Sequence, residues 1–485
     1  MTHELTEPNV ADVLRSLPDD LDEPGFGQDE LKSLLKTIAD KPLPTGRIQR
    51  AWTLGTLPAK LTAAYGTWFL RSLFAGKDAK EELKNEAHLR AGLKILGSMG
   101  YLRGAIAKVG QALACYPDIV PRQMVEVLES LHFEAPPMHY ALVREHIHNE
   151  LGADPEELFA EFEETAFAAA SLGQVHRAKL HDGRQVAVKV QYPNIARTIQ
   201  SDLANMKLLA KPMRLSVEWP FLLDVIEDIE STLVLETDYV HEAKMAEKVR
   251  RTLADLDDVL IPEVHRELST ARVLTLELVS GIHLTEFRKR RPSQEERNRR
   301  CEQILRAMYR LWGGRLLSSD PNPGNFLLLD DGRLGLIDFG AVREMDDREW
   351  EVMMMGAKGE HLGGEVLDQA LIASTLITEK EAKDETRMKL LREFSDWMSE
   401  PMRTEGAFDF SDETHFRRGF ELVKEMTLRR YNRIMPVFIW MDRMLFGLRG
   451  TFYSLEAQVR YQEINDHELA RIGFELPGAD QVGPG

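Results

Sequence analysis

Two aspartates and an asparagine fall within residues 313–341, GGRLLSSDPNPGNFLLLDDGRLGLIDFGA. Asp320 and Asn325 stand five residues apart in D-P-N-P-G-N, where two prolines and a glycine forbid a helix. The following FLLLDDGRLGLI gives two short apolar runs around an Asp-Asp-Gly-Arg turn, which predicts a β-hairpin ending at Asp338-Phe339-Gly340. Loop, hairpin and loop would bring two carboxylates and an amide to one place. That set suits phosphoryl transfer: one carboxylate orients a nucleophile, while the amide and the second carboxylate hold Mg²⁺ between phosphates. Asp-Phe-Gly alone would be no more than a polar turn, since three residues recur by chance. The spacing of all three groups is what points to metal and phosphate.

Such a site needs a cation, and a strand offers one. Residues 173–180 and 184–191 alternate around an Asp182-Gly183 turn. In the second run Val186, Val188 and Val190 share one face, and Ala187 and Lys189 the other. A lysine among apolar neighbours either projects into a cleft toward phosphate or guards an edge strand against aggregation; the aspartates downstream favour the cleft. Residues 167–173, FAAASLG, read as a loop where a kinase places glycines so that backbone N–H groups can approach phosphates. Ala168, Ala169, Ala170 and Ser171 stand there instead, and their side chains predict altered nucleotide choice or restrained transfer. Residues 220–252 read as a helix carrying Glu236, Asp238 and Glu242. At 100° per residue Glu236 and Glu242 face different ways, so one can pair with Lys189 while the other turns elsewhere. Residues 272–278 read as a strand leading into an inter-lobe hinge, where backbone groups of Glu277 and Val279 would meet an adenine edge.

The whole chain sets outer bounds. At 485 residues it is long enough for two or three domain-sized units, and 43% hydrophobic with 29% charged residues is an ordinary globular composition. A net charge of −18 argues against a general nucleic-acid binder, which needs a basic footprint. The two cysteines, Cys115 and Cys301, lie far apart, which fits a reducing compartment and excludes a disulfide framework. The start, MTHELTEPNVADVL, lacks the apolar core of a signal peptide. The most apolar stretches, residues 51–75 and 434–447, are broken by Lys60 and Arg71 and by Asp442 and Arg443, so no membrane span is expected. The expectation is a cytoplasmic protein whose peripheral membrane contact, if any, uses the basic amphipathic residues 46–77. His132, His139, His146 and His148 lie close together but without H-E-x-x-H or C-x-x-C company, and read as exposed helical histidines. A charged helical bridge over 284–300 precedes a helix over 301–317, and the pattern is helical from 346 onward. Between Gly340 and Ala373 there is no Ser, Thr or Tyr, so the activating phosphosite of a conventional kinase is absent.

These pieces, in this order, resemble the UbiB/AarF family of atypical protein-kinase-like proteins, linked with ubiquinone biosynthesis and isoprenoid-lipid metabolism. The marks are Lys108-Val-Gly-Gln111, Ala168-Ala-Ala-Ser171 followed by Gly173-Gln-Val, Val186-Ala-Val-Lys189, Glu236-Thr-Asp238, Asp320 to Asn325, and Asp338-Phe-Gly. The resemblance implies that Lys189 contacts the α- and β-phosphates of ATP and pairs with Glu242. It makes Asp320 the base-like position and gives Mg²⁺ to Asn325 and Asp338. Lys108 and Gln111 would lie on a helix laid over the site near Glu236 and Asp238, excluding protein substrates. The chain departs from the family at Ser318 and Asn322, where histidines are usual; Ser318 removes a ring that would brace the catalytic loop.

The expected fold is α+β, two-lobed and protein-kinase-like, with a helical N-terminal extension capping the active site. The expected division is a lead-in over 1–45, the extension over 46–155, an N-lobe over 156–280, a C-lobe over 281–475 and a tail over 476–485. The expected activity is that of an atypical kinase or ATPase using ATP and Mg²⁺, with an isoprenoid or quinone-type lipid as partner. A nucleotide-gated lipid-binding scaffold without phosphoryl transfer is the alternative.

Overall fold

The computed structural model describes residues 138–170, 172–193, 195–196, 199, 230, 233–374, 377–429, 431 and 436–474. The readings made for residues 1–45 and 46–77, for Lys108 and Gln111, for Ser171 and for the tail lie outside these residues. The chain divides into two compact units, residues 1–136 with 194–233 and residues 137–193 with 234–485. The elements below belong to the second.

Period-two alternation builds the first sheet. Strands β1 (Glu161–Phe162), β3 (Gly173–Lys179), β4 (Gln185–Gln191) and β6 (Val273–Glu277) lie side by side in that order, with β2 (Ala168–Ala170) folded onto β3. All these pairings are antiparallel. The turn between β3 and β4 falls where Asp182-Gly183 predicts it, with Gly183 at φ +91°. Val186, Val188 and Val190 are completely buried on one face of β4, each worth about 1.5–3 kcal/mol of transfer free energy. Helix α1 (Tyr140–Leu151) covers that face with Val143 and Ile147. Gly173 is fixed by sterics, since a Cβ there would lie 2.3 Å from the Val190 carbonyl oxygen.

The alanine segment differs from the expected loop. Ala168, Ala169 and Ala170 pair with Val175, Gln174 and Gly173, so the segment is a strand in a tight hairpin. Alanine tolerates extended backbone, and the ladder with β3 supplies the hydrogen bonds a loop would leave to water. A second correction concerns residues 220–252. The described part is not one helix: the Thr237 N–H and hydroxyl both turn back to the Val234 carbonyl, and α2 (Tyr239–Thr252) begins afresh after Asp238.

The larger part is helical with small sheets set into it. The expected helical bridge and the helix after it are divided differently: a short helix covers Leu284–Lys289, and α3 (Gln294–Gly313) begins afresh where Ser293 and Glu296 form a reciprocal capping box. The expected helix to 317 stops at Gly313 and gives way to β8 (Leu316–Ser318). The hairpin of β9 (Phe326–Leu328) and β10 (Leu334–Leu336) forms as expected, flanked by β7 (Ile282–His283) beside β9 and β5 (Val259–Leu260) parallel to β10. Strand β11 (Val342–Glu344) pairs with β8. Helices α4 (Asp347–Leu362), α5 (Glu385–Arg403), α6 (Glu413–Leu428), α7 (Pro436–Ser454) and α8 (Tyr461–Arg471) follow, with a shorter helix over Gly364–Ala373 and a two-stranded pair of Phe408–Asp409 with Gln458–Val459 among them. Helices α5 to α8 share a continuous apolar core with α3 and the hairpin, including Phe326, Phe339, Trp397 and Phe452, while α4 packs with Met353 in a second cluster around Trp312, Leu317 and Trp440. The architecture is α+β and kinase-like.

Candidate active site

Each candidate side chain is delivered by a different element. Lys189 sits in the middle of β4, opposite Val175 on β3 and Leu274 on β6, so neighbours on both sides fix its direction. Its Nζ donates to Glu242 Oε1 at 2.6 Å and lies 3.5 Å from Asp338 Oδ2. The ammonium also stands 5.9 Å from the centre of the Tyr239 ring. Burial pulls the Lys189 pKa down, but Asp338 and Glu242 together outweigh it and hold the pKa above the usual lysine range. Burial raises the Glu242 carboxyl, against which Lys189 and a hydrogen bond from the Phe339 backbone work. A lysine bracketed by two carboxylates stays cationic at neutral pH.

Glu242 reaches Lys189 from the first turn of α2, a helix that Asp238 starts. The Asp238 Oδ1 accepts from the Val240 and His241 N–H groups at 3.0 and 3.2 Å, so this member of the E-x-D motif is an N-cap. Glu236 is buried in the turn before, where a Cβ on Gly340 would lie 3.4 Å from its Cγ. Both acids therefore fall at a helix junction, and only Glu242 lies within α2.

The Asp-Phe-Gly segment follows β10. Asp338 Oδ1 accepts the Gly340 N–H at 3.0 Å, which turns its other oxygen toward Lys189. Phe339 is buried in the main core and anchors the segment. The Asn325 Nδ2 donates to the Asp320 carbonyl at 2.9 Å and to Asp320 Oδ2 at 3.2 Å. Both partners are acceptors, so the amide is oriented with its oxygen as the remaining ligand atom. The Ile337 N–H donates to the Asn325 carbonyl at 3.2 Å, which ties the two loops together next to Asp338. An amide oxygen and a carboxylate are the hard oxygen donors that Mg²⁺ takes, and the donor set fits that ion.

Ser318 ends β8 opposite Val342, and the Ser319 N–H continues the ladder to the Ala341 carbonyl at 3.0 Å. The catalytic loop has a different seat from a histidine ring. Pro321 rests on Gly447 of α7, where a Cβ would come 2.6 Å from Pro321 Cγ, and the Thr451 Oγ1 lies 3.5 Å from the Pro321 carbonyl. Sequence reasoning missed Gly447, Thr451 and Tyr239. A glycine inside an apolar helical run was the available signal for Gly447, since it costs about 1 kcal/mol against alanine and so marks close approach.

Beyond β6 the Leu278 N–H donates to the Gln185 carbonyl at 3.1 Å, and the Glu277 N–H is taken by the Glu263 carbonyl at 2.8 Å. Of the Glu277 backbone groups, the carbonyl is therefore the one to consider for an adenine edge. Val279 packs near Gly335, where a Cβ would lie 3.1 Å from Val279 Cγ1. Ala168 and Ala169 are exposed on the hairpin and Ala170 is half-buried. Among the described residues no group of three His, Cys, Asp or Glu side chains gathers as a further metal site, and His148 instead pairs with Asp154 at 3.0 Å.

Comparison with known proteins agrees with this geometry. Residues 130–356 match the ABC1 atypical kinase-like domain. AarF domain-containing protein kinase 1 of Xenopus laevis is 34% identical over 279 residues, 56% of this chain and 53% of that protein. Atypical kinase COQ8B, mitochondrial, of Rattus norvegicus is 34% identical over 332 residues, 66% of this chain and 62% of that protein. The chain thus spans less than two thirds of the length of these relatives. A solved complex of Rv3197 with erythromycin, from Mycobacterium tuberculosis, is similar with a TM-score of 0.53 and 25% identity, covering 80% of this chain and 98% of that one. The residues that hold Lys189, Glu242, Asp320, Asn325 and Asp338 all lie within an ABC1 atypical kinase-like domain, and the chain is similar to proteins named AarF domain-containing kinases and COQ8 atypical kinases.

Proposed function

We propose that this protein binds Mg-ATP and hydrolyses it, or phosphorylates a small molecule, in support of ubiquinone or other isoprenoid-lipid metabolism. The observation that carries the reading is Lys189 held between Glu242 at 2.6 Å and Asp338 at 3.5 Å, with Asn325 tied to Asp320 beside them. In this reading Lys189 binds the α- and β-phosphates and Asp320 orients the nucleophile. The Glu277 carbonyl and the Val279 backbone hold the adenine edge, and the alanine hairpin at 168–170 covers the phosphates. Asn325 and Asp338 would hold Mg²⁺, which when bound neutralises charge on the phosphate oxygens. Lys108, Gln111, Glu236 and Asp238 would serve the cap that excludes protein substrates.

A lipid partner is supported by the family, whose named members include COQ8 kinases. It is also in keeping with the erythromycin bound by Rv3197, since a macrolide is a bulky, largely apolar ligand. Among the described residues no helix is long and apolar enough to cross a membrane, so contact with such a lipid would be made from the bilayer surface or through a partner.

The test is ATP hydrolysis by the purified protein, wild type against Asp320→Asn and Asp338→Asn, with and without anionic liposomes. Loss of turnover in both variants supports the enzyme. Turnover that ignores both substitutions rejects it, and tight ATP binding without turnover favours a nucleotide-gated lipid-binding scaffold.

A further inference from the structure

A conventional kinase holds the helix bearing its lysine-pairing glutamate in place through a phosphorylated residue after Asp-Phe-Gly. Here no Ser, Thr or Tyr lies between Gly340 and Ala373, yet Glu242 is already paired with Lys189. Something else must hold α2.

His241, Lys244 and Lys248 recur at steps of three and four, which sets them in one stripe along α2, roughly 100–160° round from Glu242. All three reach β11. The His241 Nε2 lies 2.9 Å from the Val342 carbonyl, which can only accept, so this nitrogen carries the proton. The Lys244 Nζ stands 3.7 Å from Glu344 Oε1, and the Lys248 Nζ donates to Glu344 Oε2. The Lys248 ammonium holds the Glu344 carboxyl below its ordinary range, so the pair stays charged at neutral pH.

Strand β11 is in turn fixed to the rest of the site. Arg343, between the two clamped residues, makes two 2.9 Å bonds to Glu349 and sits 5.3 Å from the centre of the Trp440 ring. Val342, Arg343 and Glu344 pair with Ser318, Leu317 and Leu316, the strand that leads directly to Asp320.

We propose that His241, Lys244 and Lys248 are positioning residues that clamp α2 onto Val342 and Glu344 of β11, with Glu344 standing as a built-in substitute for the activating phosphate. The clamp locks Glu242 against Lys189 without modification, and it does so next to the position where Ser318 replaces the bracing histidine. Its geometry stands independently; its consequence for nucleotide rests on the function proposed above. Exposure of Lys244 at 56% and Glu344 at 46% makes the ionic part modest and sensitive to salt.

The experiment measures amide hydrogen exchange across Tyr239–Thr252 and Mg-ATP affinity in the full-length protein. Its variants are Glu344→Lys, the milder Glu344→Gln, and the charge swap Lys248→Glu with Glu344→Lys. Glu344→Lys should speed exchange in α2 by about three- to tenfold and weaken Mg-ATP binding by a similar factor, with Glu344→Gln intermediate. The swap should restore both, which a general loss of packing would not allow. Exchange in α2 that is unchanged by Glu344→Lys and Glu344→Gln, or that the swap fails to restore, overturns the clamp. If Glu344→Lys does not fold, Glu344→Gln and the swap decide on the same readout. A wild type that binds no Mg-ATP defeats the proposed function, while the clamp is then judged on exchange alone.

Discussion

Lys189 serves two carboxylates, and removing it exposes what each contributes. Lys189→Met leaves Glu242, 3% exposed at its side chain, without its cation, a loss of about 3–5 kcal/mol for a broken buried pair. Thermal denaturation should show a large fall in Tm. Adding Glu242→Leu should recover much of that stability, because no buried charge is then left unpaired. Mg-ATP binding should stay lost in both variants, and calorimetric titration separates the two effects. On the hairpin, Ala169 is exposed and touches little, so Ala169→Gly should cost at most about 1 kcal/mol of stability while changing ATP and ADP affinity. Identical titrations of wild type and variant would remove the alanines from nucleotide choice.

At the scale of elements, α7 carries two of the site's dependencies. Gly447→Ala puts a methyl group into Pro321, which directly follows Asp320, so the strain should enter the catalytic loop rather than the nucleotide contacts. The expected result is a turnover number lowered by about tenfold or more with KM for ATP little changed, read from steady-state kinetics. The second dependency is Asp442, half-buried on α7 and facing Glu360 of α4. Burial raises both carboxyls to about 7, and Glu360 adds to the rise at Asp442. A carboxyl whose folded pKa is raised favours the folded state most below its unfolded pKa, and that contribution is lost as pH rises toward 7. Stability should therefore decline between about pH 4.5 and 7, and Asp442→Asn should flatten that part of the profile in a denaturation series. The elements differed in how well the sequence announced them. Strands β3 and β4 and the β9–β10 hairpin were legible because period-two alternation and Asp-Gly turns are local signals. The break at Thr237–Asp238 was overlooked because apolar periodicity runs on through it; Asp238 as a helix-starting residue was the cue. Contacts such as Pro321 with Gly447, or His241 with Val342 across 101 positions, leave no local mark in the chain.

Across the described residues, the candidate site residues other than Glu242 lie on strands and loops, with Glu242 supplied by α2. The last described helix is tied in by charge as well as by packing. Arg310 of α3 bonds Glu468 of α8 through Nε at 2.5 Å and NH2 at 2.8 Å, both side chains being nearly fully buried, and Tyr309 meets Tyr461 hydroxyl to hydroxyl at 3.0 Å. Glu468→Ala leaves Arg310 with Asp255 alone, which its NH1 bonds at 2.5 Å, and should cost up to about 3–5 kcal/mol in urea denaturation. Glu468→Gln should cost less, since it keeps acceptor capacity. The motifs in their order, and the family they resemble, announced an α+β kinase-like chain, and the ABC1 match agrees. They could not announce how α8 closes on α3, because that closure depends on two distant side chains meeting.

The alanine hairpin has one more property. Its tip is pinned: Leu172 is 2% exposed, and its carbonyl accepts the Tyr192 N–H at 3.0 Å. A glycine-rich flap can lift to release what lies beneath it, whereas a flap nailed down by a buried leucine cannot lift without first exposing that side chain to water. Departure of a spent nucleotide would then have to wait for the two lobes to part at the hinge. If nucleotide is held beneath the hairpin as proposed, a slow release of ADP is the expected consequence, measurable as its dissociation rate.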